Sequence, residues 1–392
     1  MPTATLVMAD YPVGYASGFG ETLYNIFLGF PPELLWTAHP RQMSVAPGKN
    51  FGQSIPLDFP ARPVWLSSRL AYFYYPILKF RQWQAARATV ELLKNIVRKH
   101  DIRCLLVVPV SPWLLAAARS LHKHIPTLKL VLYVMDDWRG HHESHGLPYT
   151  RWRQQLLAEV IQHASIRFAV SREMAAHYQR LSKVEWQVVH NGGWPESLTY
   201  VTHGNNTPKQ VLLAGDVNVF RYDAVLAFAQ ALERYNQRTG TTLELTVLGD
   251  VAPECRLPLE KLNAVNLPGR TGHAESLRAQ AAADLLYLPL AFNERCAHIS
   301  LYSLPTKLPE YLASGKPVLF HAPRQSAVFQ MAERHGLTPR LATTDAAELD
   351  RFVNAWALNM PEARSNPERA GVALTQEFDL SQLTQRFQAA FE

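Results

Sequence analysis

The feature that most constrains this chain is a repeated alternation of short apolar segments with helical patterns. In the first half, Leu6–Ala9, Leu34–Thr37, Cys104–Val108, Leu130–Val134, Ile166–Val170 and Trp186–Val189 each read as a buried strand. Stretches with apolar residues spaced by three and four separate several of them, the period of an amphipathic helix. Strands joined through helices make right-handed crossovers, and the product is a parallel sheet. No internal repeat, low-complexity tract or coiled-coil heptad interrupts the pattern.

The rhythm then breaks and restarts. Asn191-Gly-Gly-Trp-Pro and Thr202-His-Gly-Asn-Asn-Thr-Pro cluster turn residues without apolar periodicity, as a linker does. Beyond them, Gln210–Ala214, Leu243–Leu248, Asp284–Leu288 and Pro317–Phe320 read as strands, with helices expected over Asp223–Tyr235 and Pro305–Ser314. At 392 residues the chain is also too long for one ordinary core. The expected fold is α/β, with two doubly wound, Rossmann-like domains whose C-terminal strand edges face a shared cleft. The expected boundaries are 1–193 for the first domain, 194–208 for the linker and 209–370 for the second. A tail over 371–392 follows, where Leu380, Leu383, Phe387 and Phe391 share one helical face and Asp379 is placed to cap it.

Composition narrows the class further. An apolar fraction of 47% against 18% charged residues excludes an intrinsically disordered chain. Cys104, Cys255 and Cys296 are too scattered for a disulfide framework or a metal-ligand spacing, which favours a reducing compartment. The first residues carry no basic leader, and no stretch approaches the roughly 20 apolar residues of a membrane span. The reading is a cytoplasmic protein. A net charge of +6 suits an anionic ligand, an anionic membrane surface or nucleic acid, without choosing among them.

The segment richest in chemistry is Ser303-Leu-Pro-Thr-Lys-Leu-Pro-Glu-Tyr-Leu-Ala-Ser-Gly-Lys-Pro-Val-Leu. Ser303 and Pro305 form a capping arrangement, so that backbone N–H groups leave the start of the helix. With the Thr306 hydroxyl and the Lys307 ammonium beside it, such an end suits a diphosphate. Glu310 lies one turn beyond Thr306, where its carboxylate can accept hydrogen bonds from ribose hydroxyls. The plainer alternative is a well-capped helix with a solvated lysine and glutamate.

This segment resembles the donor-binding motif of GT-B glycosyltransferases, in particular the retaining GT4-like (group 1) family. Weaker likenesses accompany it in the order the family has them: Val170-Ser171-Arg-Glu-Met, Val188-Val-His-Asn-Gly192, Ala214-Gly215-Asp216 with Arg221 after it, Leu248-Gly249-Asp250, Leu267-Pro-Gly269-Arg270-Thr271, and Ala283-Asp284 with Leu288-Pro289. The resemblance implies that Glu310 binds the donor ribose. It implies that Ser303, Thr306 and Lys307 hold the diphosphate, together with Arg221 and the turn at Gly215 and Asp216. The backbone near Arg270 and Thr271 would meet the nucleobase, and the tail helix would cross back onto the first domain. It further implies transfer of a hexose-type sugar from a nucleoside-diphosphate sugar to a hydroxyl acceptor. Retention of configuration, a setting in cell-envelope or exopolysaccharide synthesis, and no cofactor or essential metal follow from the same likeness.

Two departures stand out. Many relatives carry a second glutamate eight residues before the ribose glutamate, and here that position is Tyr302. Many also carry a histidine after the strand read as Cys104–Val108, where this chain has Pro109-Val-Ser-Pro-Trp113. The first domain offers substitutes. Gly14-Tyr-Ala-Ser-Gly18-Phe-Gly20 follows the first strand and either lets backbone approach a phosphate or sugar, through Gly18 and Gly20, or is simply a flexible loop. Met135-Asp136-Asp137-Trp138-Arg-Gly-His141-His142 follows the Leu130–Val134 strand. Neighbouring residues on a strand point to opposite faces, so one of Asp136 and Asp137 would reach a ligand while His141 could relay a proton. Helix capping by Asp137 is the alternative, and the spacing matches no strong metal site.

Finally, Trp65–His100 interleaves Tyr72, Phe73, Tyr74, Tyr75, Phe80 and Trp83 with Arg69, Lys79, Arg81, Arg87, Lys94, Arg98 and Lys99. Such a mixture suits the interface of an anionic membrane, stacking on nucleic-acid bases, or a core helix with a basic solvated face. The partners expected are therefore a nucleotide-sugar donor, a saccharide or lipid-linked acceptor and a peripheral membrane contact at the inner face, with no nucleic acid. The competing readings keep the fold but make the chain a sugar-nucleotide epimerase or hydrolase, or a non-catalytic nucleotide-binding protein.

Overall fold

The computed structural model describes residues 2–58, 71–137, 146–194, 210–360 and 365–392. The chain divides into two compact units, one formed by Met1–Asn191 with Leu380–Glu392 and the other by Gly192–Asp379. Each is built on a parallel sheet, so the chain is α/β, with two doubly wound sheets.

In the first unit the elements run β1 (Thr5–Ala9), α1 (Gly18–Ile26), β2 (Leu35–Pro40), β3 (Gln53–Leu57), α2 (Ala71–Lys99), β4 (Cys104–Val108), α3 (Pro112–His124), β5 (Lys129–Val134), α4 (Gly146–His163), β6 (Ile166–Ala169), α5 (Arg172–Ser182) and β7 (Gln187–Val188). The strand order is β3-β2-β1-β4-β5-β6-β7. Thr5 pairs with Leu35 on one side and with Cys104 on the other, so the connections reverse direction at β1 and β4. In such sheets ligands bind beyond the carboxyl ends of the strands at that reversal.

The second unit runs β8 (Gln210–Ala214), α6 (Tyr222–Thr239), β9 (Glu244–Leu248), α7 (Pro253–Glu260), β10 (Val265–Asn266), α8 (His273–Ala282), β11 (Leu285–Pro289), α9 (Ala297–Ser300), α10 (Leu308–Ala313), β12 (Val318–His321), α11 (Ala327–Arg334), β13 (Arg340–Leu341), α12 (Ala346–Ala357) and α13 (Pro367–Glu377). Its sheet order is β10-β9-β8-β11-β12-β13, with the reversal at β8 and β11. Alternate residues of β8 feed two cores. Val211 and Leu213 pack with Phe228 and Phe352, while Leu212 and Ala214 pack with Tyr311 and Phe320. Burial on both faces is why these strands read as continuous apolar runs instead of alternating ones.

The tail helix α14 (Leu380–Gln388) and the turn after it belong to the first unit. Phe387 and Phe391 are fully buried among Phe27, Phe30, Tyr133 and Phe168. Burying each such ring is worth about 2–3 kcal/mol. The Phe391 carbonyl accepts hydrogen bonds from the Thr3 amide at 2.8 Å and the Thr3 hydroxyl at 2.7 Å. The Gln388 amide donates to the carbonyls of Leu28 at 2.9 Å and Ile26 at 3.1 Å, groups that the end of α1 leaves without helical partners.

Several expectations need correction. The second unit continues through Asp379, not 370, because Ala370 and Leu374 of α13 pack in the same core as Tyr311. The segment that returns to the first unit therefore starts at Leu380 instead of 371. Apart from Trp194, the linker expected over 194–208 lies outside the described residues. The helix expected over Pro305–Ser314 is shorter: α10 begins at Leu308 with Lys307 at its N-cap, and no side chain caps it. Ser303 sits in the turn after α9, its amide bonded to the Ile299 carbonyl, and lies four residues before Lys307, which fills the N-cap position. Strand β2 extends to Pro40, beyond the expected Thr37. β3, β10 and β13 had no expectation attached. β3 is an edge strand that reads Gln-Ser-Ile-Pro-Leu, mostly exposed and carrying a proline, a pattern tolerated only at sheet edges.

Candidate functional site

In the second unit, most of the residues expected to hold a donor gather at the carboxyl edge of β8. Ala214 is the last residue of that strand, and its amide donates to the Tyr311 hydroxyl of α10 at 2.7 Å. Tyr311 is buried, which pushes its phenol pKa up and keeps the hydroxyl neutral. This bond ties α10, with Lys307 and Glu310, to the turn that follows β8.

That turn is shaped by two glycines. Gly215 has φ +149°, and a side chain there would meet the Arg221 guanidinium at 2.8 Å. A side chain at Gly249, after β9, would lie 2.4 Å from the Gly215 backbone. At Gly249 that backbone contact requires a glycine, and at Gly215 the positive φ favours one. The Arg221 Nη1 donates to the Asp216 carbonyl at 3.3 Å. Burial lowers the Arg221 pKa, with Tyr311 and Asp216 acting in the opposite direction. The guanidinium stays charged, so a cation stripped of part of its water stands above the glycine turn.

Lys307 and Glu310 are half-buried and paired, with Nζ at 2.9 Å from Oε2 and 3.2 Å from Oε1. The Gln280 amide of α8 donates to Glu310 Oε2 at 3.4 Å. Arg270, in the loop between β10 and α8, bridges two acids. Its Nη2 lies 3.0 Å from Asp216 Oδ2 and 3.0 Å from Asp250 Oδ2. The Asp250 amide donates to Asp216 Oδ1 at 2.9 Å, so the turns after β8 and β9 and the loop after β10 are joined. Thr271 is half-buried beside Arg270, and Ser303 and Thr306 are half-buried in the loop leading to α10.

The first unit carries a separate cluster at its own strand reversal. Asp10 follows β1, and its Oδ2 accepts hydrogen bonds from the amides of Val110 and Ser111, both at 2.9 Å, at the start of α3. Burial raises the Asp10 pKa, and the bonds from Ser111 and Val110 oppose that shift. Tyr11 stacks on Tyr15 and Phe19, with ring centroids 5.4 and 5.3 Å away. Burial raises the Tyr11 pKa first, and the charges of Asp10, Tyr15 and Asp136 add to the shift. Asp10, Tyr11 and Asp136 thus share one electrostatic neighbourhood. Asp10 carried no expected role, although its position directly after the first apolar strand is the signal that points to it.

Asp136 and Asp137 lie past the end of β5, beyond the reach of strand alternation, and differ in burial. Asp137 is buried and accepts the Tyr178 hydroxyl hydrogen at 2.9 Å, while Asp136 is half-buried. His141 lies outside the described residues. Gly18 begins α1, and the Gly20 amide donates to the Ser17 hydroxyl that caps it. A side chain at Gly20 would meet the Tyr15 backbone at 2.4 Å, so the space at this glycine is taken by the chain itself and not left for a ligand.

On α2, Ile77, Phe80 and Trp83 are 53%, 54% and 53% exposed at a spacing of three. Phe80 and Trp83 stack at 5.9 Å, and the Arg87 guanidinium lies 5.7 Å from the Trp83 ring centroid. The side chains of Tyr72–Tyr75 and Lys79, and all of Trp65–Arg69, lie outside the described residues. Among the described residues no helix is long and apolar enough to cross a membrane.

The chain has the fold of the GT-B glycosyltransferases. Neither a protein-family model nor a curated protein sequence matches it. Solved structures match across both units. The lipopolysaccharide outer core galactosyltransferase WaaB, in its apo form, aligns with a TM-score of 0.66 at 14% identity, covering 98% of each chain. An alpha,alpha-trehalose-phosphate synthase (UDP-forming) from Burkholderia vietnamiensis aligns at 0.65 and 11% identity, over all of this chain and 98% of that one. A Listeria monocytogenes protein assigned as a UDP-N-acetylglucosamine 2-epimerase aligns at 0.57 and 10% identity, over 99% of this chain and 95% of that one. At such identities the likeness establishes the fold, and activity has to be argued from the site.

Proposed function

We propose that the chain is a glycosyltransferase that moves a hexose-type sugar from a nucleoside-diphosphate sugar to a hydroxyl acceptor. The observation that carries this reading is the bond from Ala214 to Tyr311, which sets Lys307 and Glu310 beside the glycine turn under Arg221. A ribose needs a carboxylate that accepts from both hydroxyls, and Glu310 supplies one. A departing diphosphate needs fixed positive charge, and Lys307 and Arg221 supply two cations. Arg270, Thr271 and the turn at Asp216 and Asp250 would border the base, and Ser303 and Thr306 would add hydroxyls to the phosphates. In the first unit, Asp136, with Asp10 and Tyr11, would meet the acceptor. The reading includes retention of configuration, a saccharide or lipid-linked acceptor of the cell envelope or an exopolysaccharide, and no essential metal or cofactor. The nearest test is calorimetry with UDP, GDP, ADP and dTDP. Binding of one of them in the micromolar range supports the site, and binding of none refutes it.

A second reading has support of its own, because an assigned epimerase shares the fold. Product analysis separates the two: a transferase needs an acceptor to consume the donor, whereas an epimerase or hydrolase changes the sugar nucleotide without one.

The face of α2 bearing Ile77, Phe80, Trp83, Arg81 and Arg87 fits peripheral contact with an anionic membrane. Its exposed rings would enter the interface, and each basic residue near the surface would add on the order of 1 kcal/mol. Co-sedimentation with anionic vesicles should occur at low salt, fade at high salt and drop when Lys79, Arg81 and Arg87 become Glu. A protein that ignores such vesicles at low salt refutes the membrane contact and points to a soluble acceptor.

A further inference from the structure

We propose that Gln280 is a positioning residue that sets the Glu310 carboxylate for the ribose and so makes the site select ribose over 2′-deoxyribose; this rests on the donor-site reading of Glu310. Gln280 is 1% exposed, and its amide nitrogen spans two acceptors, the Ser276 hydroxyl at 3.3 Å and Glu310 Oε2 at 3.4 Å. Its Oε1 is buried and has no hydrogen-bond partner among the described residues. Reversing the amide would set that oxygen against the Glu310 carboxylate, acceptor facing acceptor, so the observed orientation is the one the carboxylate imposes.

A stranded buried carbonyl costs free energy, and an apolar residue of the same shape would avoid the cost. The chain nonetheless carries a glutamine here, under the one carboxylate of α10. Lys307 holds Glu310 through both oxygens, whereas Gln280 reaches Oε2 alone. The two contacts are different in kind. Lys307 is half-buried on a flexible stem and can turn to a phosphate, while Gln280 is enclosed on α8. When the ammonium leaves for the diphosphate, the amide is what keeps Oε2 fixed and leaves Oε1 turned to the sugar. A distance of 3.4 Å is long for such a bond, as contacts in ligand-free sites often are before they tighten.

The test compares UDP, GDP and ADP with their 2′-deoxy counterparts by calorimetry on wild type and Gln280→Met, which keeps volume and removes the donor. Wild type should prefer the ribonucleotide of the base it binds by about tenfold, the effect of one well-set hydrogen bond to a charged group. Gln280→Met should cut that preference to below about threefold while leaving affinity for inorganic pyrophosphate unchanged. A Gln280→Met protein that keeps the full preference overturns the proposal while the donor site stands. A wild-type protein that binds none of the three ribonucleotides overturns the proposal, and one that binds no dTDP either overturns the donor-site reading as well. Should Gln280→Met fail to fold, Ser276→Ala removes the hydroxyl that holds the same amide. An undiminished ribose preference in that variant overturns the proposal equally.

Discussion

The hydroxyl of Tyr311 receives the amide hydrogen of Ala214 at 2.7 Å, and this bond ties a helix of six residues to the carboxyl end of an interior strand of a six-stranded sheet. Both groups are buried, so nothing replaces the bond when it is lost. Tyr311→Phe should destabilise the second unit by about 1–3 kcal/mol, the cost of a buried donor left unpaired. It should also weaken nucleotide binding several-fold, because Lys307 and Glu310 are carried on the same helix. Urea unfolding and calorimetry on the variant check the two effects separately. A variant that loses neither would show that packing alone holds α10.

Glu310 and Lys307 are predicted to fail differently. Glu310→Ala should weaken binding of the nucleoside and of the nucleoside diphosphate alike, by about 2–4 kcal/mol. Lys307→Ala, and likewise Arg221→Ala, should weaken the diphosphate far more than the nucleoside. Thermal stability should change little for Glu310→Ala and Lys307→Ala, since the pair they share is half-solvated. Equal losses on uridine and UDP for the lysine variant would remove it from the phosphate site.

Asp136 and Asp137 should separate turnover from stability. Asp137 is buried on the Tyr178 hydroxyl, so Asp137→Ala should cost about 1–3 kcal/mol of folding free energy. Asp136→Ala should leave folding within about 0.5 kcal/mol and lower turnover by about a hundredfold or more, with donor affinity unchanged. Normal turnover in the Asp136 variant would move attention to Asp10.

The buried His321 gives the second unit an acid-sensitive point. Its Nε2 donates to the Thr343 carbonyl at 2.6 Å, which leaves Nδ1 to accept from the Tyr287 hydroxyl at 2.7 Å. Burial pulls its pKa down from 6.5 to about 4, against the hydrogen bond it donates to the Thr343 carbonyl and the charge of Asp223. Between those values the unfolded chain binds the proton and the folded chain does not. Stability from this group is therefore present above about pH 6.5 and lost as pH falls toward 4, by on the order of 3 kcal/mol. Urea midpoints measured from pH 7 to 4.5 should fall, and His321→Gln should flatten that part of the curve. An equally steep curve in the variant would assign the sensitivity to other groups.

What could be read in the sequence follows from what each segment buries. Strands β1, β4, β5, β8 and β11 lie inside their sheets with both faces covered, and their apolar runs announced them within a residue or two. β3 lies at an edge with polar residues outward, and β10 and β13 are two residues long; none has a period to detect. At the donor site the residue types and their order were legible, because Lys307, Glu310 and Gly315 lie close together in the chain. Contacts made across long separations were not: Gln280 reaches Glu310 from another helix, and Arg270 reaches Asp216 and Asp250 from a different loop. The start of α10 is hidden because Ser303 and Pro305 look like a cap, whereas Ser303 lies in the turn after α9 and the N-cap position falls at Lys307.

The placement of Phe387 and Phe391 among Phe27, Phe30 and Phe168 has a consequence for synthesis on the ribosome. The first unit is translated first, yet its core contains two rings that emerge only after the whole second unit has been made. At elongation rates of 5–20 residues per second, the apolar pocket around Phe27 stays open for roughly 10–40 s after the rest of its unit has left the exit tunnel. During that interval the nascent chain presents an uncovered aromatic surface, so loss of Phe387 and Phe391 would leave that surface open to chaperones and proteases.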